Sequence, residues 1–249
     1  MSLTFPLTGR ALVDPIAGVS AAVEGRRWLV PMLALMLAVT FSGVSYALQL
    51  DTARQVVPAL AKKGDLQKVS EKELNDQIQQ AQRIGLVTGV AKGVAGMPLA
   101  LLFLALALKL AAWLFVKPVP FSAAFTVAAV GLLPLALYHL VFGVALWQQD
   151  FVTVKSAEAL VPSSLAYLSK MPGALKRAYG AVDFFQLWSA VLVGLGMAKA
   201  MGIKAWKGVA LGLGLYLLFA AAFLVGLPGL AESMGGGGPG GGGGGRRGP

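Results

Sequence analysis

Residues 183–208 read DFFQLWSAVLVGLGMAKAMGIKAWKG. The stretch is apolar enough to be buried, yet it opens on Asp183, carries Gly194, Gly196 and Gly202, and closes on Lys199, Lys204 and Lys207. A membrane crossing reconciles these features. A carboxylate at the first turn suits the positive end of a helix dipole, and the lysines gather where a helix re-emerges on a cytoplasmic face. Phe184, Phe185 and Trp188 suit the opposite interface. Ala190, Gly194 and Ala198 recur every fourth residue, which leaves one helix face nearly bare so that a neighbouring backbone can approach closely. Gly208 and Gly212 repeat the spacing on the next segment, so these five residues are the expected helix-packing positions.

The rest of the chain has the same character. Of 249 residues, 57% are hydrophobic and only 13% charged, with a mean hydropathy of +0.72. Too little charge is present to clothe a water-facing surface, so the solvent is lipid. A bilayer core needs about 20 apolar residues per helix, and five stretches qualify, at 28–48, 94–116, 121–147, 184–201 and 209–230. The fold class is therefore an all-α integral membrane protein of five transmembrane helices, with short amphipathic interfacial helices. Ser45-Tyr46-Ala47 has the small residues of a signal-peptide cleavage site, but the apolar run before it is too long for a signal core and follows a 27-residue lead ending in Arg26 and Arg27. The net charge of +10 is dispersed between apolar runs instead of forming one basic stripe, which points to lipid headgroups and not to nucleic acid. The chain has no cysteine, so it has no disulfide framework, no thiolate nucleophile and no Cys-bound metal.

Orientation follows from Lys and Arg in short loops. An inside N-terminus places Arg10, Arg26, Arg27, Lys117, Lys199, Lys204 and Lys207 in the cytoplasm and the C-terminus outside. The loop 49–93 is also basic, but it is long and has acids interspersed, and such segments translocate with little regard for charge. Three domains are expected. Residues 1–27 form a cytoplasmic amphipathic segment, in which Asp14-Pro15 starts a helix with Ile16, Val19 and Val23 on one side, laid on the inner leaflet. Residues 28–231 form the membrane domain. It includes an outside helix at 71–83, started by the capping-box pair Ser70 and Glu73, with the series Gly85, Gly89, Gly93 leading on to the second span. The loop 148–182 is broken by Pro162 and Pro172, and Leu160, Leu165, Tyr167, Leu168 and Leu175 make it amphipathic, so it reads as interfacial. Residues 232–249 are a glycine-rich tail without core-forming side chains, expected to be disordered.

Candidate chemistry is sparse. His139 is the single histidine and Lys109 lies within the second span; an ionisable group inside a membrane can relay protons or contact a substrate. Against this, His139 neighbours Tyr138 near an interface and suits an interhelical hydrogen bond, while Lys109 is near enough to the cytoplasmic end to snorkel. No acid lies within any span, no cofactor is implied, and GLGMAKAMG has neither dinucleotide nor phosphate-loop spacing. Nucleophile motifs are missing too, so an enzyme is not expected. The functional expectation is a non-enzymatic membrane scaffold or accessory subunit, its partners being the bilayer and other membrane proteins or itself, with no small-molecule substrate identifiable. The alternative is a small transporter or channel subunit using Lys109 and His139.

Three blocks carry a family resemblance: LVDPIAGVSAAVEGRRWLVPMLAL at 12–35, LALALKLAAWLFVKPVPFSAAFTVAAVGLLPLAL at 104–137, and VDFFQLWSAVLVGLGMAKAMGIKAWKGVA at 182–210. In order, they resemble the blocks of the bacterial branch of the Ypt-interacting-protein (Yip) family. The late block is the most specific, through Asp183, Phe184, Trp188, Gly194-Leu195-Gly196 and Lys207. The resemblance implies a five-helix membrane protein with a cytoplasmic N-terminus, and with it a bacterial inner-membrane location. Eukaryotic members interact with Rab-type GTPases in vesicle trafficking and membrane shaping. The segment before the first span does not resemble the long N-terminal region through which that recruitment is described, so the GTPase role is not carried across. Some bacterial relatives look like accessory partners of transport systems, and no catalytic residue comes with the family.

Overall fold

The computed structural model describes residues 5–63, 69–115, 117–168 and 174–226. The glycine-rich tail 232–249 and the last residues of the fifth expected span lie outside the described residues. The chain opens on two short helices, α1 (Phe5–Val13) and α2 (Pro15–Glu24). Asp14 separates them: its Oδ1 accepts the Ala17 amide at 3.2 Å, and Pro15 takes the first helical position, where no amide is needed. α3 (Leu29–Gln49) follows, then α4 (Ala53–Lys63). α5 (Glu71–Ala91) starts from a full capping box, in which Glu73 N donates to Ser70 Oγ (3.3 Å) and Ser70 N donates to Glu73 Oε2 (2.8 Å).

α5 takes in the helix expected at 71–83 and carries on past Arg83 along Gly85 and Gly89. It runs through a π-helical turn (Lys92–Gly96) into α6 (Met97–Leu114), making one helix of 44 residues from Glu71 to Leu114. The π turn has a local cause. Pro98 would set its ring against the carbonyl four residues back, and the wider turn, in which Met97 N donates to Lys92 O, relieves that crowding. The third span is divided for a related reason. α7 (Phe121–Gly131) and α8 (Leu133–Trp147) are parted at Leu132 (φ −88°, ψ 3°), because Pro134 supplies no amide to continue the ladder.

Beyond α8 the chain forms α9 (Val154–Glu158), a 3₁₀ turn (Leu165–Leu168) and α10 (Ala174–Ala181). α11 (Phe184–Met201) is capped by Asp183, whose Oδ1 accepts the Gln186 amide at 3.0 Å. It ends at Gly202, whose φ of 65° allows Ile203 N to reach back to Ala198 O (3.0 Å) and turns the chain into α12 (Ala205–Phe219). A second π segment, Ala220–Gly226, extends α12.

Five of these helices, counting α5–α6 and α7–α8 once each and α12 with its extension, are long and apolar enough to cross a membrane. The protein is an all-α integral membrane protein. Its core is built from Leu35, Leu101, Leu108, Val127, Val130, Leu192 and Met197, contributed by α3, α6, α7 and α11. Around it the outward surface is itself apolar: Phe103 and Trp113 on α6 are each 68% exposed. Lipid accepts such a surface; water does not. The N-terminal hairpin belongs to this bundle. Val19 and Val23 of α2, and Ala11 of α1, are buried in the main core, while Ile16 points away from it, so the apolar face expected to lie on lipid is largely spent on protein.

Candidate functional site

Between α3 and α8, Ser42 Oγ lies 2.8 Å from His139 Nδ1 and also donates to Val39 O at 3.1 Å. One turn further along, Trp147 Nε1 donates to Ser45 Oγ at 2.8 Å, and Ser45 Oγ donates to Phe41 O at 2.7 Å. The seam is close because Gly143 leaves room for the Phe41 ring. His139 is thus occupied by an interhelical hydrogen bond. Lys109 lies elsewhere, exposed on the outward face of α6 with Leu102, Leu106, Leu110 and Trp113. The two ionisable residues singled out in the sequence are not brought together.

The small residues are. A methyl group built on Gly194 would come within 3.0 Å of the Gly208 and Val209 backbone, one on Gly208 would strike Ala198, and one on Gly212 would strike Ala190 and Gly194. α11 and α12 therefore lie with backbone close to backbone where Ala190, Gly194 and Ala198 meet Gly208 and Gly212. A second crossing of this kind joins α3 to α5. There Gly43 meets Gly89, and Gly93 packs on Thr40. Sequence reading singled out Gly85, Gly89 and Gly93 but not their partner. The signal was present in α3 as the small or hydroxylated run Thr40, Ser42, Gly43, Ser45 and Ala47.

At the bundle end where α3 and α8 finish and α11 begins, the segment after α8 is tied down by backbone bonds. Val152 N donates to Gln49 O (2.8 Å) and Asp51 N donates to Val152 O (2.9 Å). Asp183 anchors the other side: its Oδ2 accepts from the Ser163 hydroxyl, and Phe184 N donates to Ser163 O at 2.9 Å. Tyr216 of α12 reaches over to the Ala181 carbonyl and to Gln186 Oε1 (2.8 Å). At the opposite end Lys199 pairs with Glu24 at 2.5 Å, fastening α2 to α11; both side chains are well exposed, so the pair contributes about 0–1 kcal/mol. Among the described residues no group of three or more His, Cys, Asp or Glu side chains is placed to hold a metal ion.

The family model described as the Yip1 domain matches residues 10–227. No curated protein and no solved structure matches the chain. The matched region takes in α2, all five candidate spans and the loops that join them. The chain belongs to the Yip1 domain family.

Proposed function

We propose that this protein is a non-enzymatic membrane scaffold or accessory subunit of a membrane complex, serving transport, trafficking or membrane organisation. One observation carries the reading: the continuous helix Glu71–Leu114. At about 1.5 Å per residue its 44 residues extend about 66 Å, roughly twice a bilayer core of about 30 Å. Its lower part is gripped by α3 at Gly43 and Thr40, and the polar stretch 71–83 continues past that grip as a shaft rich in exposed charged and amide side chains. A rigid polar helix fixed to a membrane bundle suits contact with a partner protein or a second copy better than it suits chemistry. The bare-backbone crossings support the same reading, since they make the bundle stiff. Residues 1–27 would be cytoplasmic, 28–231 would form the membrane domain followed by the glycine-rich segment 232–249, and the protein would reside in a bacterial inner membrane with its C-terminus outside.

The test is purification of the full chain in mild detergent, with a photo-cross-linking residue at Gln79. Recovery of a homo-oligomer or a hetero-complex cross-linked through Gln79 is the expected result. A strictly monomeric species with no cross-linked partner overturns the proposal. Reconstitution supplies a second arm: flux in proteoliposomes that collapses in both Lys109→Ala and His139→Ala, with folding intact, would put a transporter in its place.

A further inference from the structure

The segment after α8 packs beside the ends of α3 and α8, and between them lies an open cleft of about 300 Å³. Its wall is assembled from four places in the chain: Tyr46 of α3, Tyr138 and Phe142 of α8, Ala157 and Glu158 of α9, and Tyr167 of the 3₁₀ turn. The segment is held on both sides of the cleft. Val152 is buried between the Gln49 and Asp51 backbones and against Leu146, while Leu165 N donates to Val182 O at 3.0 Å just before Asp183. Nor are the rings loose. Tyr138 stacks on Phe142 with centroids 5.9 Å apart and planes 4° from parallel, and it meets Phe185 at 5.5 Å.

Four aromatic rings and a carboxylate make a particular electrostatic environment. The face of each ring is the negative part of its quadrupole, and Glu158 adds a full negative charge at the rim. The hydroxyl of Tyr167 registers that field. Burial, then the charges of Glu158 and Asp183, push it above the ordinary tyrosine range, so at neutral pH it is a neutral phenol facing carboxylate charge. Among the described residues lining the cleft none is basic. An anion finds no donor of positive charge here. A cation with apolar substituents finds an aromatic lining and a counter-charge.

From this cleft we propose a site for an alkylammonium group of choline or ethanolamine type, held by cation–π contact with Tyr46, Tyr138 and Tyr167 and by the charge of Glu158. Its volume lies at the lower end of the range for small-molecule sites, about 300 to 1,000 Å³, which suits a headgroup-sized ligand and not an extended solute. The cleft lies at the end of the apolar helices α3 and α8, beside the loop that follows α8, where the proposed topology would bring a phospholipid headgroup, and it is open enough for a soluble amine to enter. Both sources present the same chemistry. The inference stands apart from the scaffold role proposed above and does not depend on it.

The experiment uses the full chain in nanodiscs of phosphatidylglycerol alone, which carries no amine, titrated calorimetrically with choline chloride and with tetramethylammonium chloride. Saturable binding of both is expected. Tyr167→Ala should weaken it about tenfold and Tyr167→Phe should leave it nearly unchanged, because the ring and not the hydroxyl makes the contact. Glu158→Gln should weaken it about fivefold at low salt and less as salt is raised. Both positions lie in the loop and are exposed, and an unchanged melting temperature verifies that each variant is folded. Absence of saturable binding, or binding indifferent to both Tyr167→Ala and Glu158→Gln, overturns the proposal. Native mass spectrometry from phosphatidylcholine or phosphatidylethanolamine bilayers then separates the sources: a retained lipid displaced by choline identifies the headgroup, whereas choline binding with no retained lipid identifies a free amine.

Discussion

Arg26 shows how much one residue is asked to do. It stands at φ 48°, in the left-handed region, at the turn from α2 into α3. Arg27 N donates to Ala22 O at 3.0 Å and Arg26 N to Val23 O at 3.2 Å, the wrap that usually calls for glycine at this place. A residue with a Cβ carries about 1–2 kcal/mol of strain in that conformation. Arg26→Gly is therefore expected to raise the melting temperature in detergent, and Arg26→Ala, which removes the same charge but keeps the Cβ, is not. Equal melting of the two variants would show that the guanidinium, not the backbone, decides this turn. His139 is the converse case. Its chemistry was visible in the sequence, but its hydrogen-bonding neighbour Ser42 lies 97 residues away, and no local pattern names it.

At the scale of elements, the α11–α12 crossing and the start of α5 give the clearest tests. Gly194 faces backbone across the seam, so Gly194→Val has nowhere to put its side chain and should cost about 1–3 kcal/mol, with a corresponding fall in melting temperature. Gly214 is the control. Nothing lies within 4 Å of a methyl built there, and Gly214→Ala should stabilise by up to about 1 kcal/mol through helix propensity. If both variants melted alike, the crossing would not depend on bare backbone. The capping box of α5 predicts a dependence on pH. Hydrogen bonds from the Ser70 backbone and hydroxyl hold the Glu73 carboxyl below its ordinary 4.5, and a depressed carboxylate stabilises above the unfolded value and loses that contribution as pH falls through the folded one. Amide exchange in the first turn of α5, corrected for intrinsic rate, should accelerate below about pH 4 in the native chain. In Glu73→Gln that step should be absent.

For the whole molecule the decisive measurement is topology. Lys199, Lys204 and Lys207 cluster at one end of the bundle, where Arg26 and Arg27 also enter α3, and carrying a single Lys or Arg through the core costs about 2.5–3.5 kcal/mol even on the lenient insertion scale. In a chain without native cysteine, an impermeant maleimide added to intact cells should label cysteines placed at Gln77 and Ser233 and spare those at Ser20 and Ile203. Labelling at Ile203 with protection at Gln77 would invert the proposed orientation. Much of the architecture was legible in the sequence: five apolar segments, the Asp14, Ser70 and Asp183 helix starts and the small-residue spacing of α11 all depend on residues a few positions apart. Hydropathy and capping are local, and a chain this poor in charge has no other solvent to choose. The packing of Ala11, Val19 and Val23 of the α1–α2 hairpin on the core, the Gly43–Gly89 crossing and the aromatic cleft beside α9 were decided only in three dimensions. Each depends on which faces of distant helices meet, and that choice is made by backbone approach and ring packing among residues that no spacing in the sequence connects.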